Sequence, residues 1–208
     1  MEVTRRVLLG EAAAAALPAQ TSIPIIDIHQ HTPYTGRTAD ELLRHQETMG
    51  IAKTILLPAG RAYSLAVGIG GNEAALALVK KFPGKYYYFA NELPDIEETR
   101  VTLEKYLKMG AIGIGEQKFH VPCDGKAMQL VASIAQEYDV PVLMHFEYRA
   151  YNLQYERFPN LLKQFPKVNF IGHAQTFWAN IDKNHDQTAL YPKTKVTAGG
   201  WTDRWLAD

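Results

Sequence analysis

The chain has 208 residues, 47% of them hydrophobic, and its 22 Lys plus Arg are matched by 22 Asp plus Glu. This composition excludes a disordered or fibrous chain, and the zero net charge gives no general attraction to nucleic acid or to an anionic membrane. One cysteine, Cys123, excludes a disulfide framework and a paired-cysteine zinc site, and it reads as structural.

Residues 1–20 stand apart. Thr4-Arg5-Arg6-Val7-Leu8-Leu9 followed by an alanine-rich run resembles a twin-arginine export signal and predicts a periplasmic or exported protein. The alternative is an alanine-rich N-terminal helix on a cytoplasmic protein. The apolar run is shorter than the ~18–20 residues of a membrane span, and Glu11 interrupts it. Residues 21–208 are read as one domain.

From residue 21 onwards one rhythm repeats. Apolar runs rich in β-branched and aromatic residues, at 23–29, 53–58, 86–90, 112–116, 140–145 and 168–173, alternate with helical stretches. Their spacing averages about 29 residues, close to the roughly 30 of one strand–helix unit. Thr38-Ala39-Asp40-Glu41 is a capping box opening the first helix, and Gly50 stops it. Asn72 is read as the cap of a helix over 73–82. Asp95 is read as the cap of one running to Met109 before Gly110. Asp124 is read as the cap of a stretch to Tyr138, where Leu130, Val131, Ile134, Ala135 and Tyr138 form one apolar stripe. A sixth helix is expected to open at Thr202-Asp203-Arg204.

Strands alternating with helices imply a parallel sheet. An open doubly wound sheet should carry a glycine-rich phosphate turn after strand 1, but Asp27-Ile28-His29-Gln30-His31 stands there instead. Gly68-Ile69-Gly70-Gly71 lacks the dinucleotide spacing. A (β/α)8 barrel of the TIM type fits better. A typical barrel takes about 250 residues, so the chain is expected to supply about six βα units of a C-terminally incomplete barrel.

The histidines carry the chemistry. His29 and His31 sit two apart at the carboxyl end of strand 1, with Asp27 a layer deeper on the same face. Glu116, His145 and His173 each end an apolar run, at strands 4, 5 and 6. In a barrel these four strand ends form one mouth, where active sites lie. His, Asp and Glu side chains are the set that holds zinc and similar divalent ions with a position open for water. Lys118, two residues beyond Glu116, is a candidate for a substrate carboxylate. Arg61 and Tyr63 after strand 2, Glu147, Tyr148 and Arg149 after strand 5, and Trp178 after strand 6 are candidates for the pocket wall. His45, His120 and His185 read as surface residues.

Asp27-Ile-His29-Gln-His31 after an Ile-rich strand, His145 after strand 5, and Pro166-Lys-Val-Asn-Phe-Ile-Gly-His173 together resemble the amidohydrolase-related branch of the metal-dependent amidohydrolase superfamily. The resemblance covers about residues 23–206. It implies a (β/α)8 barrel with one or two divalent ions, zinc foremost. It also implies that His29, His31 and His145 are metal ligands, and that His173 either binds a second ion or orients the attacking water. Glu116 falls where binuclear members such as TatD-like nucleases place a bridging or second-metal ligand. The family's strand 8 aspartate, a ligand and the usual general base, has no counterpart here.

The leading expectation is a hydrolase that attacks a small lactone, amide or related carbonyl with a metal-activated water. The alternatives are a nonoxidative decarboxylase on the same barrel, a TatD-like nuclease and an inactive truncated fragment. The expected partner is a small molecule, with no nucleic acid and no membrane span, and a homo-oligomer is compatible with the sequence.

Overall fold

A computed structural model describes residues 23–61, 68–188 and 196–205. The segment read as an export signal lies outside the described residues, and so does Tyr63. In chain order the elements are β1 (Ile25–Gln30), α1 (Ala39–Thr48), β2 (Ile51–Leu56), α2 (Asn72–Lys81), β3 (Tyr86–Tyr88), α3 (Thr99–Lys108) and β4 (Ile114–Gln117). They continue with α4 (Lys126–Tyr138), β5 (Val142–His145), a 3-10 turn (Tyr155–Arg157), α5 (Phe158–Gln164), β6 (Phe170–His173), α6 (Gln175–Ala179) and α7 (Trp201–Trp205).

All six expected strands form, each within two residues of its predicted limits. They pair in parallel as β1-β2-β3 and β4-β5-β6. The two sheets join at an Ala90–Ile114 bridge, where Ala90 N donates to Gly113 O and Gly115 N to Ala90 O, both at 2.8 Å. The result is one curved six-stranded wall of the incomplete α/β barrel that the sequence predicts. Leu57, Phe89 and Leu143 meet on its inner face, while a larger core of helix and strand residues, including Leu42, Leu103, Met128 and Ile134, fills its outer side. In α4 the buried side chains are Met128, Val131, Ala132, Ile134 and Ala135, so the predicted stripe faces the sheet.

Helix punctuation agrees in part. The Thr38–Glu41 capping box is present in both directions, with Glu41 N donating to Thr38 Oγ1 at 3.2 Å and Thr38 N to Glu41 Oε2 at 2.8 Å. Three expected caps are corrected. Residues 95–98 form turns and α3 opens only at Thr99. Gly71 caps α2, because the Asn72 side chain is buried and spent on Asn91. Gly125 caps α4, because Asp124 accepts from Arg157 and Asn160. After β6 the short α6 comes first, and α7 follows at Trp201, next to the expected Thr202.

The outer edge of β1 has no strand beside it among the described residues, and Ile25, Ile26 and Ile28 are about half exposed there. No helix among the described residues is long and apolar enough to cross a membrane.

Candidate metal centre

Two bulges aim the central side chains. Along β1, Asp27 pairs with Thr54 and Gln30 with Leu56, so Ile28 and His29 stand opposite the single residue Ile55. Along β4, Ile114 pairs with Val142 and Gln117 with Met144, so Gly115 and Glu116 stand opposite Leu143. A bulge re-aims a side chain and breaks strict alternation. Gly115 is required in this one: its φ is +144°, and a Cβ there would lie 2.8 Å from Leu143 O. On β5 and β6 the ladder is regular, and His145 and His173 are register partners.

The four histidines gather around Glu116, which is buried. Its Oε2 lies 3.5 Å from His29 Nε2 and 3.6 Å from His31 Nε2. Its Oε1 lies 2.5 Å from His145 Nδ1 and 3.6 Å from His173 Nε2. Ligand-type atoms therefore fall into two groups, each within 4.8 Å: His29, His31 and Glu116, and Glu116, His145 and His173. By distance the carboxylate belongs to both groups, and His145, which the resemblance sets with His29 and His31, lies with His173. The residues fit a divalent ion in their chemistry as well. His31 Nδ1–H donates to Leu57 O at 2.7 Å, which fixes the tautomer and leaves Nε2 as the lone-pair nitrogen facing Glu116.

Electrostatics prepare the same donor set. Burial pushes the Glu116 carboxyl up, but hydrogen bonds from His145 and His29, and the charge of those imidazoles, outweigh it and hold the group well below the usual carboxylate range. Burial pushes the His173 imidazole down to about 4, and neighbouring His29 adds to the effect. Burial also lowers His31, against the Leu57 hydrogen bond and the attraction of Glu116. At neutral pH this leaves an anionic carboxylate beside neutral His31 and His173, the protonation states that metal binding needs.

The remaining candidates divide. Lys118 lines the cleft next to His31 and Glu116 and holds its ammonium 5.2 Å from the centre of the Tyr151 ring. Arg61 turns away from the cluster: it is 62% exposed and pairs with Glu92 and Glu98, each at 3.8 Å. Asp27, read as a layer deeper on the same face, is half-buried beside the bulge. The bulge separates it from His29, and its oxygens accept from the His29 amide at 3.0 Å and Gln30 Nε2 at 2.8 Å. Trp178 meets the His173 ring edge-on at 5.3 Å. Glu147 Oε2 lies 3.2 Å from His145 Nε2, and beside it opens a cavity of about 410 Å³ that Tyr148 and Arg149 also line. His120 is exposed, as expected, and donates from Nδ1 to Ala150 O.

Sequence reasoning missed Tyr34 and Tyr151, whose rings lie 5.5 Å from His31 and 5.6 Å from His145. Their place in the loops after strands 1 and 5 is the only signal that points to them. It also missed the buried amides Asn91 and Asn152 beneath the site, which carry no motif.

No protein-family model matches the chain, and no curated protein matches it. Solved structures do. An uncharacterised TIM-barrel protein from Bordetella bronchiseptica aligns over 76% of this chain and 69% of its own, at 12% identity and a TM-score of 0.60. A 2,6-dihydroxybenzoate decarboxylase from Rhizobium aligns over 88% of this chain and 77% of its own, at 14% identity and a TM-score of 0.52. An amidohydrolase II aligns over 70% of this chain and 65% of its own, at 16% identity and a TM-score of 0.48. The fold agrees with the resemblance read from the sequence: this chain has the TIM-type α/β barrel architecture of the first two, with six of its strands among the described residues.

Proposed function

We propose that the chain is a metal-dependent enzyme of the amidohydrolase type that hydrolyses a small lactone, amide or related carbonyl compound. The observation that carries this reading is the placement of Glu116: one buried, ionised carboxylate faces four imidazoles at the carboxyl end of a parallel barrel wall. His29, His31 and Glu116 would hold one divalent ion, zinc foremost, and Glu116, His145 and His173 would hold a second. A bound divalent ion supplies a water of lowered pKa and polarises a carbonyl oxygen.

The chain's own groups do the rest. Glu116 is anionic at neutral pH, so each group includes one negative ligand. Where only the His29, His31 and Glu116 group holds an ion, His173 is neutral and can instead accept a proton from a water or hydrogen-bond a reacting oxygen. Lys118 places a cation at the cleft that holds His31 and Glu116, where it can pair with a substrate carboxylate. The cavity beside Glu147 has the size of a small-molecule site.

A second reading is nonoxidative decarboxylation of an aromatic carboxylate. It is favoured by Lys118 together with Tyr34, Tyr151 and Trp178, which surround the histidines with ring faces and edges. The barrel resembles that of a decarboxylase solved with 2,6-dihydroxybenzoate, at 14% identity and a TM-score of 0.52.

The test is metal analysis of the purified chain, then reconstitution with zinc, cobalt or manganese and a screen of lactones, amides and carboxylated aromatics. Hydrolysis that depends on the added ion supports the first reading. Release of carbon dioxide without hydrolysis supports the second. A chain that takes up no divalent ion overturns both.

A further inference from the structure

Beneath the metal centre lies a layer of buried side-chain amides that joins four strands. Asn72, Asn91, Gln117 and Asn152 are all at least nine-tenths buried. Asn91 and Asn72 exchange bonds, from Asn72 Nδ2 to Asn91 O at 2.7 Å and from Asn91 N to Asn72 Oδ1 at 2.9 Å. Asn91 Nδ2 donates twice, to Pro58 O after β2 at 2.9 Å and to Glu116 O on β4 at 2.8 Å. Its Oδ1 accepts from Gln117 Nε2 at 2.6 Å. Asn152 Nδ2 also donates twice, to Gln117 O at 2.6 Å and to His145 O on β5 at 2.8 Å.

Both fork-like donors end on the backbone carbonyl of a residue whose side chain belongs to the centre. Glu116 sits in a bulge and His145 is the last residue of its strand, so each carbonyl lies where the regular ladder gives out. A buried carbonyl left unpaired would cost free energy and would let the peptide turn. A turn of the peptide carries the side chain with it. We infer that Asn91 and Asn152 are positioning residues for the metal centre: by pinning the Glu116 and His145 carbonyls they fix the direction of the shared carboxylate and of the His145 ring. Asn suits position 152 twice over, since its φ is +45° and Asn tolerates that region. The inference rests on the metal-centre reading above.

The experiment is a cobalt(II) titration of the chelator-treated full chain, followed by visible absorption and by calorimetry, beside a thermal melt of the metal-free protein. Asn152→Gly keeps the backbone conformation and removes both donors. Asn91→Ala removes the second fork. Gln46→Leu, which deletes the buried Gln46–Thr54 hydrogen bond, is the control for a lost buried amide elsewhere. The wild-type chain should give a saturable cobalt spectrum. Asn152→Gly and Asn91→Ala should each weaken cobalt binding by about 10–100-fold, as loss of an outer support typically does, with altered band shape and intensity. Gln46→Leu should lower the melting temperature and leave affinity and spectrum alone.

If the wild-type chain binds no cobalt, the metal centre itself is wrong and this inference falls with it. If the wild-type chain binds cobalt and both variants match its affinity and spectrum, only the positioning role is overturned. That role is equally overturned if Gln46→Leu loses as much affinity as they do. Should Asn152→Gly fail to fold, Asn91→Ala decides by the same readings.

Discussion

His145 and His173 face one another as register partners on β5 and β6, and both imidazoles point at the same oxygen of Glu116. Their ring centres are 5.1 Å apart. His29 on β1 and His31 just after it approach the other oxygen of that carboxylate. One side chain thus stands between two pairs of imidazoles, and most consequences of the structure run through it.

Glu116→Gln keeps the shape and removes the charge. Both ligand groups lose their anion, so metal affinity should fall by more than the ~100-fold that outer-sphere changes produce, leaving the variant depleted of metal. Elemental analysis of the purified variant after dialysis checks this. Retention of two equivalents would separate Glu116 from the centre.

The metal-free protein should lose stability as pH falls from about 6.5 towards 4. The unfolded chain protonates His173 near its ordinary value of 6.5, whereas the folded chain holds it at about 4. The unfolded state therefore binds more protons in this window, and stability rises with pH across it. His31, also lowered, acts in the same direction. Melting temperatures in chelator between pH 7 and 4 should show the slope, and His173→Asn should make it shallower.

Gly115→Ala should destabilise the fold by about 1–3 kcal/mol, the usual cost of a residue held in a sparsely populated region. The new methyl would also press on Leu143 O, in the strand beside Glu116. Urea unfolding measures the loss, and metal affinity should fall in the same variant because the bulge that aims Glu116 must shift.

Cys123 should be inert in the folded protein. It is buried, and burial pushes its thiol up to about 12, with the Asp124 charge adding to the effect. Iodoacetamide at pH 8 should add no mass until the chain is unfolded, when one adduct should form. Rapid native labelling would show that the 121–125 segment opens.

Much of this was legible in the sequence because barrels repeat a simple unit. Six strands followed from six apolar runs, and the site followed from polar, ligand-type residues ending four of them. Failures came where local rules met tertiary demands. Asn72 looks like a helix cap, but its amide is worth more in the buried layer, where its oxygen accepts from the main-chain N–H of Asn91. Asp27 shares the parity of His29 and His31, and a period of two therefore puts it on their face. The bulge at Ile28 and His29 adds one residue and cancels that argument. The split of the ligand set was equally hidden. Which carboxylate oxygen each imidazole approaches depends on strand register and bulges, and these have no one-residue signature.

Among the described residues no strand ladder joins β1 to β6, yet His29 and His173 bring their rings within 4.3 Å of each other at the mouth. The sheet is therefore shaped like a clasp bracelet, with the imidazoles at its two free ends and Glu116 midway along the band. Ions held by the two groups would tie the ends through side chains alone, by way of the shared Glu116. The breadth of the opening and the grip on the ions would then be one mechanical variable, so that whatever spreads or closes the free edges also tunes the centre.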